Sequence, residues 1–561
     1  MTELTKEEFV KLYEEANGDR AKFNTLVDRA GKNVVSYAGF YRRRARWITG
    51  IDYYGEPAKR GVSATDDRKT SEDTRPVAGG TIHPPDTRRS SLAGKRFVFT
   101  SAQNNTFVHE EFFKNLLAFC NHRDAQLVVG KFRYNKSGFQ NSTKDSDDED
   151  LWYDPKLTPY FITDSVRLGE SKTGTVWCGE LDILPTAATP LSGLDNYTRT
   201  ASSIIPHAKV QMKSVPVMKG TPKKFLYTTG AVTQRNYIQR KAGQKAEFHH
   251  VFGALYVEFD HSGNEFRRQL IADSGGSFYD LTELFADGQV TGDHRVEAIN
   301  WGDIHAEAID PEVANSGWNI EANYAGFTDT MLDTLRPKYQ FVHDLTDFRA
   351  RNHHNIKNPH FLAEQFFNVN SSVQEGMVKA AKVLASMTRS FCQTVVVESN
   401  HDQAFKRWLA EADVRQDPEN AEYYHTANAE LFRHIREGKT FHPFEWAVRR
   451  ERTLNNVLFL NEDDSFVICG DENGIECGMH GHRGPNGSRG NPANLRSLGR
   501  KCNTGHTHSA GIIDGIYTAG ISCNDDLGYN KGPSSWSKSH IVTYANGKRA
   551  IITMENGRWR A

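Results

Sequence analysis

The chain has 561 residues, 38% of them hydrophobic and 11% aromatic, which is enough for globular cores and points to more than one domain. Its formal net charge of −1 excludes a global electrostatic pull toward nucleic acid, so any basic footprint has to be local. No apolar run approaches the roughly 20 residues of a membrane span, the acidic, amphipathic N-terminus is unlike a signal peptide, and the seven scattered cysteines read as reduced thiols, so a cytoplasmic location is expected.

Residues 1–54 predict a small helical region. Thr5 and Glu8 make a capping box ahead of Phe9, Leu12 and Tyr13. Phe23, Leu26 and Val27 share one face of a second helix, which Gly31 ends. A third helix over 37–47 carries Arg42, Arg43, Arg44 and Arg46 among Tyr37, Phe40, Tyr41 and Trp47. A basic, aromatic third helix is what a helix-turn-helix-like DNA reader presents, and these arginines are the candidate DNA contacts. The plainer reading is a helical cap with a solvated basic face. Residues 55–92, rich in Gly, Pro, Ser and Thr, read as a linker.

Residues 93–290 predict a central α/β domain whose role the sequence does not reveal. A strand over 96–100, a helix over 109–121 and a strand over 126–129 make a βαβ-like unit. Strands recur over 175–177, 210–213, 225–228 and 248–259. The acidic run 145–150 reads as a solvated loop. The lysines and arginines of 219–245 are either a phosphate-facing surface or simple solubility.

Residues 291–561 alternate strands and helices. Strands are expected over 295–301, 339–343, 393–398, 457–460, 466–469, 475–479, 501–504 and 515–521, with a long helix over 372–391. Five motifs follow these strands in order: Asp303-x-His305; His343-Asp344-Leu345-Thr346-Asp347; Ser399-Asn400-His401-Asp402; His480-Gly481-His482; and Gly505-His506-Thr507-His508. Residues two apart on a strand point the same way, so Asp303 and His305 can converge on one point. Loops at the carboxyl ends of strands are where open α/β sheets place their sites. Carboxylates, imidazoles and one amide form a mixed O/N donor set that suits Mn²⁺, Fe²⁺ or Zn²⁺ better than Ca²⁺.

This series resembles the calcineurin-like metallophosphoesterases, whose pattern is D-x-H, G-D-x-x-D, G-N-H-[DE], a lone His and G-H-x-H, over the last half of the chain. The resemblance implies a pair of mixed sheets sandwiched between helices, with a two-metal site at the sheet edge. It implies that Asp303, His305 and His508 hold one ion, Asn400, His480 and His506 the other, and that Asp344 bridges them. Mn²⁺ is the foremost candidate, with Mg, Fe or Zn as alternatives. His401 matches the residue that protonates the leaving group, and Asp402 would orient it. Asp347 and His343 would sit beside the bridge as outer-shell or substrate contacts. Two positions depart from the pattern: His343 and Ser399 stand where the family has glycine. His482 is the alternative to His480 as the lone ligand.

The SbcD-type nucleases are one branch of this family. The layout of an N-terminal extension followed by an esterase domain resembles the large early DNases of T-five-like phages. The expected function is therefore a metal-dependent DNase that cleaves phosphodiesters, phage-encoded and acting on host DNA in the host cytoplasm. DNA, another phage DNA-transfer protein and a second copy of the chain are the expected partners. A protein or nucleotide phosphatase is one alternative. A DNA-binding transfer scaffold with a vestigial esterase domain is the other.

Overall fold

The computed structural model describes residues 4–16, 20–32, 96–134, 151–168, 174–320, 329–352, 356, 358–368, 370–470 and 474–561. The expected third helix with Arg42, Arg43, Arg44 and Arg46, the linker 55–92 and the acidic run 145–150 lie outside these residues. The chain divides into two compact units, Met1–Thr81 and Ile82–Ala561.

In the first unit, helix Lys6–Glu15 starts at the expected capping box. The Thr5 hydroxyl accepts from Glu8 N at 3.3 Å, and the Glu8 carboxylate accepts from Thr5 N at 2.9 Å. Helix Arg20–Arg29 follows, and Gly31 leaves it with φ +68°, a left-handed turn that costs glycine nothing. The two helices bury Phe9, Phe23 and Val27 between them, with the Phe9 and Phe23 rings 4.8 Å apart.

The second unit is a mixed α/β body of several sheets with no closed barrel among the described residues. Strand Arg96–Gln103, helix Glu110–Arg123 and parallel strand Gln126–Phe132 form the expected βαβ unit. It extends into a four-stranded sheet through Gly253–Phe259 and Glu265–Ile271. The strand expected over 248–259 is shorter than the reading: Lys241–His249 is a helix, and the chain becomes extended only from Gly253. Lys, Ala, Gln and Glu are good helix formers, and they win until the apolar run begins.

A six-stranded sheet positions the site. Its order is Val457–Phe459, Gln393–Val396, Tyr339–Val342, Ala298–Asn300, Ser539–Thr543 and Arg549–Thr553. The first four run parallel, so their carboxyl ends open on one edge. Side chains alternate across it as a pleat requires. Ile299, Val342 and Val396 enter a core built with helices Pro311–Trp318, Val373–Met387, Gln403–Glu411 and Pro443–Glu451. Ala298, Phe341, Val395 and Val397 face the other way, against Ile468, Ile475 and Cys477 of a ten-stranded sheet.

That larger sheet joins Lys501–Thr504, Ile516–Thr518 and Gly511–Ile513 to Met212–Val215, Lys224–Thr228 and Ser202–Ile205. Gly511 and Ile512 pair with Lys213 and Met212, so hydrogen bonding runs across the expected 290/291 division.

Where the four-stranded sheet meets the short strand Phe278–Asp280, Arg268 is buried between Glu258 and Asp280. Arg268 donates to Glu258 Oε1 at 2.6 Å and to Asp280 Oδ2 at 3.1 Å, and Arg123 donates to Asp280 Oδ2 at 2.8 Å. Burial alone would raise both carboxyls, but the Arg268 charge outweighs it and holds them below the usual carboxylate range. Their contribution is therefore complete above the unfolded carboxylate pKa and fades as pH falls through the lower folded value. Arg268→Ala leaves two buried anions short of a cation, and thermal unfolding should show a loss of about 3–5 kcal/mol at neutral pH. A variant that melts with wild type would show that Arg123 alone suffices.

Candidate metal centre

The motifs converge at the carboxyl edge of the six-stranded sheet. The loops leaving its strands stay in register. Ile304 N donates to His343 O at 3.0 Å and His305 N to Asp344 O at 2.8 Å. From the second sheet, Gly505 N donates to His480 O at 2.9 Å, which ties the fourth and fifth motifs together. His506 N donates to Asp303 Oδ2 at 2.8 Å, which ties the fifth to the first. Gly505 is required for that approach: a Cβ there would stand 2.2 Å from Asp303 Oδ1.

Donor atoms of Asp303, His305, Asp344 and His508 all lie within 4.8 Å of one another, and all four residues are buried. Asp344 Oδ2 is the hub. It is 3.3 Å from His480 Nε2, 3.7 Å from His305 Nε2 and 3.9 Å from His508 Nε2. His508 Nε2 is also 3.1 Å from Asp303 Oδ2. The His506 ring stands 5.2 Å from that of His480. Asn400 Oδ1, Asp303 Oδ1, both oxygens of Asp344 and both ring nitrogens of His480 and of His343 are buried without a hydrogen-bond partner. Such orphaned polar groups are costly, and the concentration of those of Asp303, Asp344 and His480 at one point suits a bound cation.

The backbone repeats the message. His305, Asp344, His506 and His508 have φ values of +45°, +42°, +73° and +58°. Each such left-handed non-glycine residue costs on the order of 1–3 kcal/mol, a strain that collects at functional sites. The electrostatics agree. Burial disfavours the charged form of Asp344, yet the surrounding imidazoles hold its carboxyl well below the usual range. Burial likewise opposes protonation of His508, but its hydrogen bond to Asp303 and the nearby Asp344 push it up to about 9. The carboxylates thus favour positive charge on the imidazoles packed around them.

The alternatives within the second group separate. His480 faces Asp344, whereas His482 Nε2 sits 3.2 Å from Glu462 Oε1. His343, in place of a glycine, is buried with its ring 5.6 Å from that of His480. Burial lowers its pKa to about 4, so it is neutral.

Asp402, expected to orient His401, has a different partner in the structure. Asp402 opens helix Gln403–Glu411, and its carboxylate turns inward to accept from Thr346 N at 3.1 Å. Burial, reinforced by Asp344, raises its pKa well above the usual range. Asp347 stands beside His401 instead. Its backbone carbonyl is 3.2 Å and its Oδ1 3.5 Å from His401 Nδ1, and the same Oδ1 lies 3.4 Å from His305 Nδ1. His305, Asp347 and His401 form a second close donor group. Sequence reasoning also passed over Glu307, within the first motif's own stretch. It accepts from Thr346 Oγ1 at 2.6 Å and Asp347 N at 2.7 Å, and so fixes the loop that carries Asp347.

The basic stretch 219–245 is less available than its composition suggests. Lys219 and Lys223 pair with Asp526 and Asp525 at 2.8 and 2.9 Å, and Lys224 is buried.

The fold and site together define a mixed α/β protein with a buried Asp/His cluster compatible with metal binding. No family model matches the chain. It is 44% identical over 503 residues to Protein A1 of Escherichia phage T5, an alignment covering 87% of each chain. The chain belongs to the family of that phage protein. Among the described residues, no helix is long and apolar enough to cross a membrane.

Proposed function

We propose that this chain is a metal-dependent phosphodiesterase that cleaves DNA, acting on host DNA early in phage infection. The observation that carries the reading is the convergence of Asp303, His305, Asp344 and His508, each buried, within 4.8 Å. The donor set suits divalent ions: oxygen and nitrogen ligands in mixture, with several buried atoms left without a hydrogen-bond partner. Asp303, His305 and His508 would hold one ion and Asn400, His480 and His506 the other, with Asp344 shared. Bound there, two cations would offset charge on the attacking and leaving oxygens of an in-line displacement.

The protein's own share is positioning and proton transfer. His401 is less enclosed than His305 and His480, with a side chain 15% exposed against 0% for each of them. With Nδ1 held by Asp347, its Nε2 is left to protonate the leaving oxygen. Asp402, buried and raised, stabilises the Thr346 turn rather than the imidazole.

The test is nicking of a supercoiled plasmid. Protein loaded with Mn²⁺ should relax it, EDTA should stop the reaction, and metal analysis should approach two ions per chain. Zero bound metal under every loading condition, with no nicking, would leave a DNA-binding scaffold. Turnover of phosphomonoesters without nicking would turn the reading to a phosphatase.

A further inference from the structure

Two aromatic side chains outside the five motifs stand against the donor cluster. Trp536 meets His508 edge-on with ring centroids 4.2 Å apart. Tyr529 lies nearly parallel to His401 at 6.3 Å with an interplanar angle of 29°. The two rings are 6.1 Å from each other. His305 completes the circuit, 4.9 Å from His401 and 5.1 Å from His508.

The loop that presents Tyr529 is pinned. Leu527 is buried against Ala308, Ile521 and Cys523. Leu527 N donates to Asn530 Oδ1 at 3.1 Å, and Asn530 Nδ2 to Asp525 O at 2.7 Å. Ser509 and Ser535 share a hydroxyl hydrogen bond of 2.7 Å beside Trp536. Yet Tyr529 itself is 42% exposed. An aromatic ring still partly open to solvent on an anchored loop, beside the candidate proton donor, is poised to receive a flat ligand face.

Charge separates the options for that ligand. A loop that tracked phosphates would offer free cations. Here Lys219 and Lys223 are spent on Asp526 and Asp525, and Lys538 on Asp310 at 3.0 Å. Lys531 is the exposed cation of the loop, 4.0 Å from Asp526. What the loop presents at the cluster is ring surface.

We infer that Tyr529, backed by Trp536, stacks the nucleobase next to the phosphodiester held at the Asp344 cluster, so that the preferred substrate is a strand with an unpaired base there. The inference rests on the phosphodiesterase reading above. A base inside a duplex has both faces covered, so the ring can be used only by single-stranded or frayed DNA. Every base has a π-face, so the preference is for strandedness and not for sequence.

The experiment has two arms, both on the full chain. In EDTA, a thymidine oligonucleotide carrying one 2-aminopurine is titrated with protein. Binding to wild type should quench the fluorophore, and the fully paired duplex should bind more weakly. Tyr529→Ala should weaken single-strand binding roughly 5- to 150-fold, the range that loss of one base–aromatic stack produces. Tyr529→Phe should restore it. Equal binding by wild type and Tyr529→Ala overturns the inference.

In Mn²⁺, thymidine 5′-(4-nitrophenyl phosphate) is compared with methyl 4-nitrophenyl phosphate. The nucleoside ester's advantage in kcat/KM should collapse in Tyr529→Ala. An unchanged advantage also overturns it. If wild type hydrolyses neither ester while the binding arm holds, the phosphodiesterase reading fails and the stacking surface stands.

Discussion

Asp344→Asn should strip the protein of bound metal and abolish plasmid nicking without unfolding it. One oxygen of Asp344 faces three imidazoles contributed by three different motifs, at 3.3, 3.7 and 3.9 Å. With the carboxylate replaced by an amide, that hub becomes neutral, and two cations would face each other with nothing between them to offset their repulsion. The loss should exceed the roughly 10- to 100-fold that outer-shell partners of a metal site cost. Asparagine is the informative substitution because Asp344 has φ +42°, a conformation that Asn tolerates and Ala does not. Metal content by mass spectrometry, nicking rate and far-UV circular dichroism report the three quantities separately. An Asn variant that keeps both ions removes Asp344 from the bridging position.

His401→Ala should behave in the opposite way, keeping its metal while losing roughly 10²–10⁴ in cleavage rate, the usual contribution of a positioned proton donor. The competing possibility is concrete, because His401 also falls in a close donor group with His305 and Asp347. Metal content decides between them: a ligand's removal lowers stoichiometry, a proton donor's does not. A nitrophenyl diester, whose leaving group needs little protonation, should shrink the His401→Ala defect and leave the Asp344→Asn defect as large as before. Asp347→Asn should reproduce part of the His401 defect, and Asp402→Asn should not. If the activated ester rescues neither variant, proton donation is not what His401 does.

What could be read in the sequence was whatever is local. Each motif places ligand types at short spacing just after an apolar strand, and the structure brings Asp303, His305, Asp344, His480 and His508 to one point. The capping box at Thr5 and Glu8 was legible for the same reason, since its partners are three residues apart. The partner of His401 was not. Asp402 is its neighbour in sequence, but it begins a helix that turns its carboxylate toward Thr346, while Asp347 arrives from another strand's loop. The meaning of Tyr529 was hidden as well, because it lies in a stack with His401 that only the folded chain creates. The ten-stranded sheet was equally hidden: pairing of Met212 with Ile512 is not encoded in either strand's own alternation.

That last pairing bears on the birth of the molecule. The Ser214 hydroxyl donates to Ala510 O across 296 residues of chain. At about 5–20 residues per second, a ribosome needs roughly 15–60 s to deliver the second partner after the first. Through most of that interval the strand Met212–Val215 waits with one edge unpaired, and the donors at 480, 506 and 508 are made only toward its end. The nascent chain therefore passes most of its synthesis without a complete donor cluster, with a sticky edge that a chaperone or another nascent copy can meet first. The sheet and the donor cluster can both close only after the strand Gly511–Ile513 has emerged.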